Sequence, residues 1–176
     1  MTARSYRVLT AVGPDRPGLV QEISTAIHEA SANLEDSRMA ILGGEFALIV
    51  LVSGDDAAIR AVSEKAPALG KALGLAVSLK ETTRAAAVTS AGTYRLHVEG
   101  VDRPGIVASV SRVIASRGVN VASLESRVVN APESGTPIFV LSAELHVPAD
   151  VPLAAIASDL SAACDADDLE FSLDAV

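Results

Sequence analysis

Asp15-Arg16-Pro17-Gly18 decides the fold, because it returns unchanged as Asp102-Arg103-Pro104-Gly105. Each copy follows an alternating apolar run and opens a run of helical period, so each sits where a strand hands over to a helix. Proline brings a fixed φ suited to the first helical turn and has no amide hydrogen to leave unpaired. Glycine has no Cβ, so backbone amides at the turn can come close to a bound group. A helix start of this kind is a candidate site for a small anion or carboxylate, present here in duplicate.

The repeat extends outward from the turns. Tyr6-Arg7-Val8-Leu9 aligns with Tyr94-Arg95-Leu96-His97, and on that alignment the first copy carries one extra residue before its turn, near Gly13-Pro14. Asn33 and Asn120 each lie eighteen residues past their own aspartate. Matching order and spacing mark a duplicated unit.

Both copies read alike. Tyr6 to Val12 is a strand with Tyr6, Val8, Thr10 and Val12 on one face, matched by Tyr94, Leu96 and Val98. A helix follows from about Pro17 to Ser31, with Leu19, Ile23, Ala26, Ile27 and Ala30 in one apolar stripe. Its counterpart uses Ile106, Val110, Val113 and Ile114 and stops at Gly118, a left-handed cap; the first copy has Ala32 there, which moves its cap to Asn33. Strands follow at Leu34 to Leu42 and Glu45 to Val52, joined by Gly43-Gly44, and in the second copy at Val119 to Asn130 and Ile138 to Val147. Asp55-Asp56 caps a second helix, which Pro67 should kink or split, and Asp150 caps its counterpart. Leu75 to Thr82 and Leu169 to Val176 close the units.

The pattern β-α-β-β-α-β is the split βαβ of the ferredoxin-like fold, an α+β class. Right-handed crossovers place both helices on one face of a four-stranded antiparallel sheet in each unit. The expected domains are residues 1–82 and 94–176, with 83–93 as a linker. Glu45 to Val52 is apolar on both faces, so the open sheet face of the first unit is expected to pack on a partner domain or another chain.

Composition sets bounds. Apolar residues make up 49% and aromatics 3%, so the core rests on Ala, Val, Leu and Ile. A formal charge of -8 speaks against direct nucleic-acid binding, whose affinity comes from basic side chains on phosphates. The single cysteine, Cys164, excludes an intramolecular disulfide and reads as a small buried residue. The start has no signal-peptide core, and the longest apolar run, Phe46 to Val52, is far too short to span a bilayer; a soluble cytoplasmic protein with no membrane association is expected. His28 falls on a helix surface, while His97 and His146 lie on strands that would share a polar or metal site if they faced each other. No carboxylate–histidine spacing supports a metal, no nucleophile elbow or phosphate loop is present, and neither enzyme activity nor a cofactor is expected.

A βαββαβ unit with this turn resembles an ACT domain. The matching pieces are Asp15-Arg16-Pro17-Gly18-Leu19 with Asn33-Leu34, and Asp102-Arg103-Pro104-Gly105-Ile106 with Gly118-Val119-Asn120-Val121. The resemblance covers essentially the whole chain, and a stand-alone pair of this length is similar to the glycine cleavage system transcriptional repressor group. It implies a non-catalytic regulatory module that binds a small amino acid at domain interfaces, glycine or serine first, as a homo-oligomer, a dimer. It also implies action through a DNA-binding protein partner, in agreement with the acidic charge. Family ligand sites use the first strand–helix turn and the entry to the second strand of an adjacent domain. Carried over, these are Asp15, Arg16, Pro17, Gly18, Leu19 and Asn33 in the first copy and Asp102, Arg103, Pro104, Gly105, Ile106 and Asn120 in the second. Read as single residues, Asp15 and Asp102 either receive an ammonium or are plain N-caps. Arg16 and Arg103 either clamp a carboxylate or are solvated, and Asn33 and Asn120 either meet ligand or satisfy backbone. The alternative for the whole chain is a dimerisation module with no small ligand.

Overall fold

The computed structural model describes residues 4–83 and 92–176. The chain divides into two units, Met1–Ala86 and Ala87–Val176. The first contains β1 (Ser5–Pro14), α1 (Leu19–Glu29), β2 (Asn33–Leu42), β3 (Glu45–Gly54), α2 (Asp56–Leu73) and β4 (Ala76–Thr82). The second repeats the order as β5 (Gly92–Val101), α3 (Ile106–Ser116), β6 (Asn120–Asn130), β7 (Pro137–Val147), α4 (Leu153–Ala166) and β8 (Leu169–Ala175). Each unit forms one four-stranded sheet, β2-β3-β1-β4 and β6-β7-β5-β8, with every neighbouring pair antiparallel. This is the α+β ferredoxin-like arrangement. Of the expected linker, residues 84–91 lie outside the described residues, and Gly92 and Thr93 already belong to β5.

Each core lies between the sheet and its helices. In the first unit Leu9, Ala11, Phe46, Val50 and Val52 pack against Leu19, Ile23 and Ile27 of α1 and Ile59 and Val62 of α2. Each fully buried side chain of this size contributes about 1.5–3 kcal/mol, so any one of the α1 anchors outweighs a typical surface ion pair at about 0–1 kcal/mol. In the second unit Leu96, Val98, Leu141 and Leu145 pack against Ile106, Val110 and Ile114 and against Ile156, Leu160 and Cys164. Cys164 is 1% exposed. Burial pushes its thiol up, and the nearby Asp165 and Asp167 charges act in the same direction, so it is an inert packing group.

The two copies superpose in register without the extra residue that the Tyr6/Tyr94 alignment requires. Gly13 stands opposite Phe46 and Gly100 opposite Phe139, and β1 and β5 run the same length back from there. Leu9 therefore occupies the place of Leu96, and Ala11 that of Val98. The tyrosine alignment is one residue out, and in a strand one residue exchanges the faces. Tyr6, Val8, Thr10 and Val12 line the open face, whereas Leu96 and Val98 are core. Gly13 and Gly100 share a packing reason: a Cβ would come within 2.8 Å of Leu75 Cδ2 in one and 2.6 Å of Leu169 Cδ2 in the other.

Helix ends differ from the sequence expectation in three places. First, α1 and α3 start after the glycine, so Pro17 and Pro104 belong to the preceding turn and Gly18 and Gly105 are the N-caps. Second, the residue in the position of Gly118 (φ 65°) is Ser31 (φ 60°); Ala32 is buried and Asn33 already starts β2. Third, Asp150 does not cap α4, whose N-cap is Pro152, with no side-chain bond. Asp55 does cap α2, accepting from the Ala58 amide at 2.8 Å. Pro67 does not split α2: one helix runs through it, and the proline is exposed, where water can serve the carbonyl its missing amide leaves open.

A left-handed serine costs about 1–2 kcal/mol relative to glycine's freedom there, partly offset by the entropy glycine loses on folding. Ser31→Gly is therefore expected to stabilise the first unit by about 0.5–1 kcal/mol, and Gly118→Ala to destabilise the second by about 1 kcal/mol. Denaturant unfolding of full-length variants reads both changes in opposite directions.

Candidate functional site

The Asp15–Gly18 turn is held by backbone bonds at both ends. The Asp15 amide donates to the Gly44 carbonyl at 2.9 Å, tying the turn to the β2–β3 hairpin. Gly43 and Gly44 both take positive φ, 61° and 83°, as a two-residue hairpin turn of this hand requires. Gly18 then turns through φ 97°, and the first intrahelical bond runs from the Glu22 amide to its carbonyl at 2.9 Å. The amides of Leu19, Val20 and Gln21 precede that bond and point out of the helix start.

A concavity of about 590 Å³ opens over these amides, lined by all of Asp15 to Gln21 together with Ser24, Met39, Ile41 and Phe46. Met39 and Ile41 lie on the helix side of edge strand β2, opposite Leu48 and Phe46, and both are exposed. The hollow therefore pairs helix-end donors with an apolar wall. That chemistry suits a carboxylate attached to a small organic body. Asp15 is exposed beside it and makes no side-chain cap bond to α1, so its N-cap role is excluded and its carboxylate faces solvent at the rim.

Arg16 is not a free clamp. Its Nη1 and Nη2 donate to Glu22 Oε1 and Oε2 at 2.6 and 3.1 Å, a bidentate pair across the first turn of α1. Those bonds, with the Arg16 charge, hold the Glu22 carboxyl below its ordinary range, and they raise Arg16 in turn. The pairing was not visible from helical spacing because Arg16 lies in the turn, outside the helix. The signal available in the sequence was the contrast with the second copy, which has Ser109 where the first has Glu22.

In the second unit the Asp102 amide donates to the Pro137 carbonyl at 2.9 Å, Gly105 takes φ 100°, and the Ser109 amide bonds Gly105 at 2.9 Å. Arg103 reaches a different carboxylate: its Nη2 lies 3.4 Å from Asp167 Oδ1 at the end of α4. Its Nε and Nη2 are buried atoms without a hydrogen-bond partner among the described residues. Pro104 and Ile106 repeat the places of Pro17 and Leu19, Ile106 being buried.

Asn33 and Asn120 are not brought to the turns of their own units. Asn33 pairs with Ser53, whereas Pro14, which leads into the turn, pairs with Glu45 at the other end of β3, roughly 26 Å away. Asn33 donates to Glu35 Oε1 at 3.1 Å, and Ser53 and Arg4 reach the same oxygen. Asn120 is exposed opposite His146. His97 and His146 both lie on the open face of their sheet, opposite Ser142 and Thr93, about 13 Å apart along β7. Each lies near a glutamate, Glu99 at 3.3 Å and Glu144 at 3.7 Å. No group of three or more metal-binding side chains occurs among the described residues. No helix among them is long and apolar enough to cross a membrane.

Because Glu22 is held low in the folded state, the pairing contributes above the ordinary glutamate range and is lost as pH falls through the lowered folded value. Arg16→Gln is expected to raise the Glu22 carboxyl back into the ordinary glutamate range, followed by carboxyl carbon shifts in an NMR titration.

Comparison with known proteins follows the same division. Two family models, each described as an ACT domain, match residues 5–80 and 94–159. The glycine cleavage system transcriptional repressor of Escherichia coli (strain K12) is 30% identical over 164 residues, covering 93% of this chain and 86% of that protein. A crystal structure of an unknown protein from Galdieria sulphuraria matches at TM-score 0.81 and 31% identity, over 99% of both chains. Another, of a candidate glycine cleavage system transcriptional repressor, matches at TM-score 0.76 and 30% identity, again over 99% of both.

Proposed function

The chain belongs to the ACT-domain family, as a tandem pair of such domains, and from that premise we propose that it senses a small amino acid, glycine or serine first, and modulates a protein partner. Homology to a glycine cleavage system repressor supports the regulatory, ligand-binding and non-catalytic character of this reading. The observation that carries it is the concavity over the Asp15–Gly18 turn, where unpaired helix-end amides meet an apolar wall.

In this proposal the ligand carboxylate lies on the amides of Leu19 to Gln21 and its ammonium is drawn to Asp15, with the Asp102–Ile106 turn offering the same backbone conformation. Asn33 and Asn120 complete a site only as the strand entry of a neighbouring ACT domain, within a dimer or larger assembly. Bound effector shifts the population of arrangements that expose a partner surface, and the coupling is reciprocal, so the partner also changes effector affinity. With a charge of -8 the chain reaches DNA through a DNA-binding protein rather than directly, in the cytoplasm. A second reading, a dimerisation module with no small ligand, is favoured by the apolar open face of the first sheet.

Isothermal calorimetry against the common amino acids distinguishes the two. Saturable heat with glycine or serine is expected. Gly18→Ala, strained at φ 97° and placing its Cβ 3.3 Å from Glu22 Oε1, should weaken binding at that turn by about tenfold, a loss of about 1.4 kcal/mol, with the fold intact by circular dichroism. An oligomer that gives no heat with any amino acid supports the second reading instead.

A further inference from the structure

The duplicated unit supplies its own control for the open sheet face. Register places Val8, Thr10 and Val12 of β1 where the second unit has Arg95, His97 and Glu99. Likewise Ile49 and Leu51 of β3 stand where it has Ser142 and Glu144. The same backbone therefore accepts a charged, solvated face, yet the first unit keeps this one apolar, with Val12 and Ile49 each 47% exposed. A four-stranded face seven residues long measures about 19 by 23 Å, roughly 440 Å² in projection. Its apolar centre lies on β3 and β1, about half of that area, with Asp36 and Arg38 along one edge and Ser78 and Lys80 along the other. An exposed apolar patch of a few hundred Å² suits an interaction surface.

We propose that this face binds the same face of a second copy of the chain, about a two-fold axis running parallel to the strands. Two such faces bury about 900 Å² in projection, at the low end of the range for specific association. Across the sheet one row reads Asp36, Leu51, Val8, Lys80, from β2 through β3 and β1 to β4. The proposed axis lays each row over its own reverse: Asp36 meets Lys80 of the second copy, and Leu51 meets Val8. The next row, Arg38, Ile49, Thr10, Ser78, puts each isoleucine over a threonine methyl and each arginine over a hydroxyl. The face thus complements itself in its apolar centre and where Asp36 meets Lys80, while Arg38, which pairs with Asp36 at 2.6 Å, shares that edge. The face of the second unit does not suit it: docking there would desolvate Arg95, Glu99 and Glu144 against hydrocarbon. Shallow hollows on either side of Ile49, about 310 and 290 Å³, give room for side chains to interdigitate.

Sedimentation velocity of the full chain tests the pairing. The unaltered chain should sediment as a dimer in the low micromolar range. The double variant Val12→Glu with Leu51→Glu should be monomeric, its dissociation constant raised on the order of a thousandfold. It should also keep its circular dichroism, since the second unit carries glutamate at both equivalent positions. Asp36→Lys and Lys80→Asp should each weaken the dimer by roughly tenfold and together restore it, an outcome a merely structural role does not produce. A monomeric unaltered chain overturns the proposal, as does a dimer indifferent to the double glutamate variant. If that variant fails to fold, failure of the exchanged charges to restore the dimer overturns it.

Discussion

The backbone at Gly18 and Gly105 turns through φ of 97° and 100°, and much of each unit's functional geometry follows from that constraint. In this left-handed region a side chain is strained, so glycine alone lets the strand end and the helix begin within one turn. The turn is then fixed from the sheet side, by the amides of Asp15 and Asp102 on the Gly44 and Pro137 carbonyls. With both ends held, the helix leaves the sheet so that Leu19 and Ile106 fall into the core while the amides after them face outward. One local conformation thus couples core packing to the presentation of anion-ready donors.

Much of this was legible in the sequence. The repeated tetrapeptide, the Gly43-Gly44 hairpin and the helical stripes gave element order and fold, since each rests on a local rule with strong physical cause. What failed was register and capping at single residues. Tyr6-Arg7 and Tyr94-Arg95 look alike, but Gly13 and Gly100, pressed against Leu75 and Leu169, are the true equivalents, and the tyrosines face opposite ways. Ser31 was passed over because serine is a poor left-handed residue; tertiary packing of Ala32 and the Ser31 amide bond to His28 hold it there. The turn residues Asp15 to Leu19 of the first copy line one hollow, whereas the Arg16–Glu22 pairing depends on a turn-to-helix geometry that no periodicity encodes.

After duplication the units kept their frame and changed what it presents. Arg16 is satisfied by Glu22 at the start of α1, while Arg103 reaches across to Asp167 with two buried nitrogens that have no hydrogen-bond partner among the described residues. The open face is apolar in one unit and charged in the other at the same register positions. Left-handed helix exits are likewise divided, Ser31 and Gly74 in the first unit against Gly118 and Asp168 in the second.

The central claim is that an amino-acid carboxylate rests on the helix-end amides beyond the repeated turn. Backbone amide NMR of the full chain during a glycine or serine titration tests it most directly. The account predicts saturable shifts concentrated on Gly18 to Gln21, on Gly105 to Ala108, or on both. Saturable shifts confined to other parts of the chain, or no shift at either turn at any ligand concentration, would contradict it.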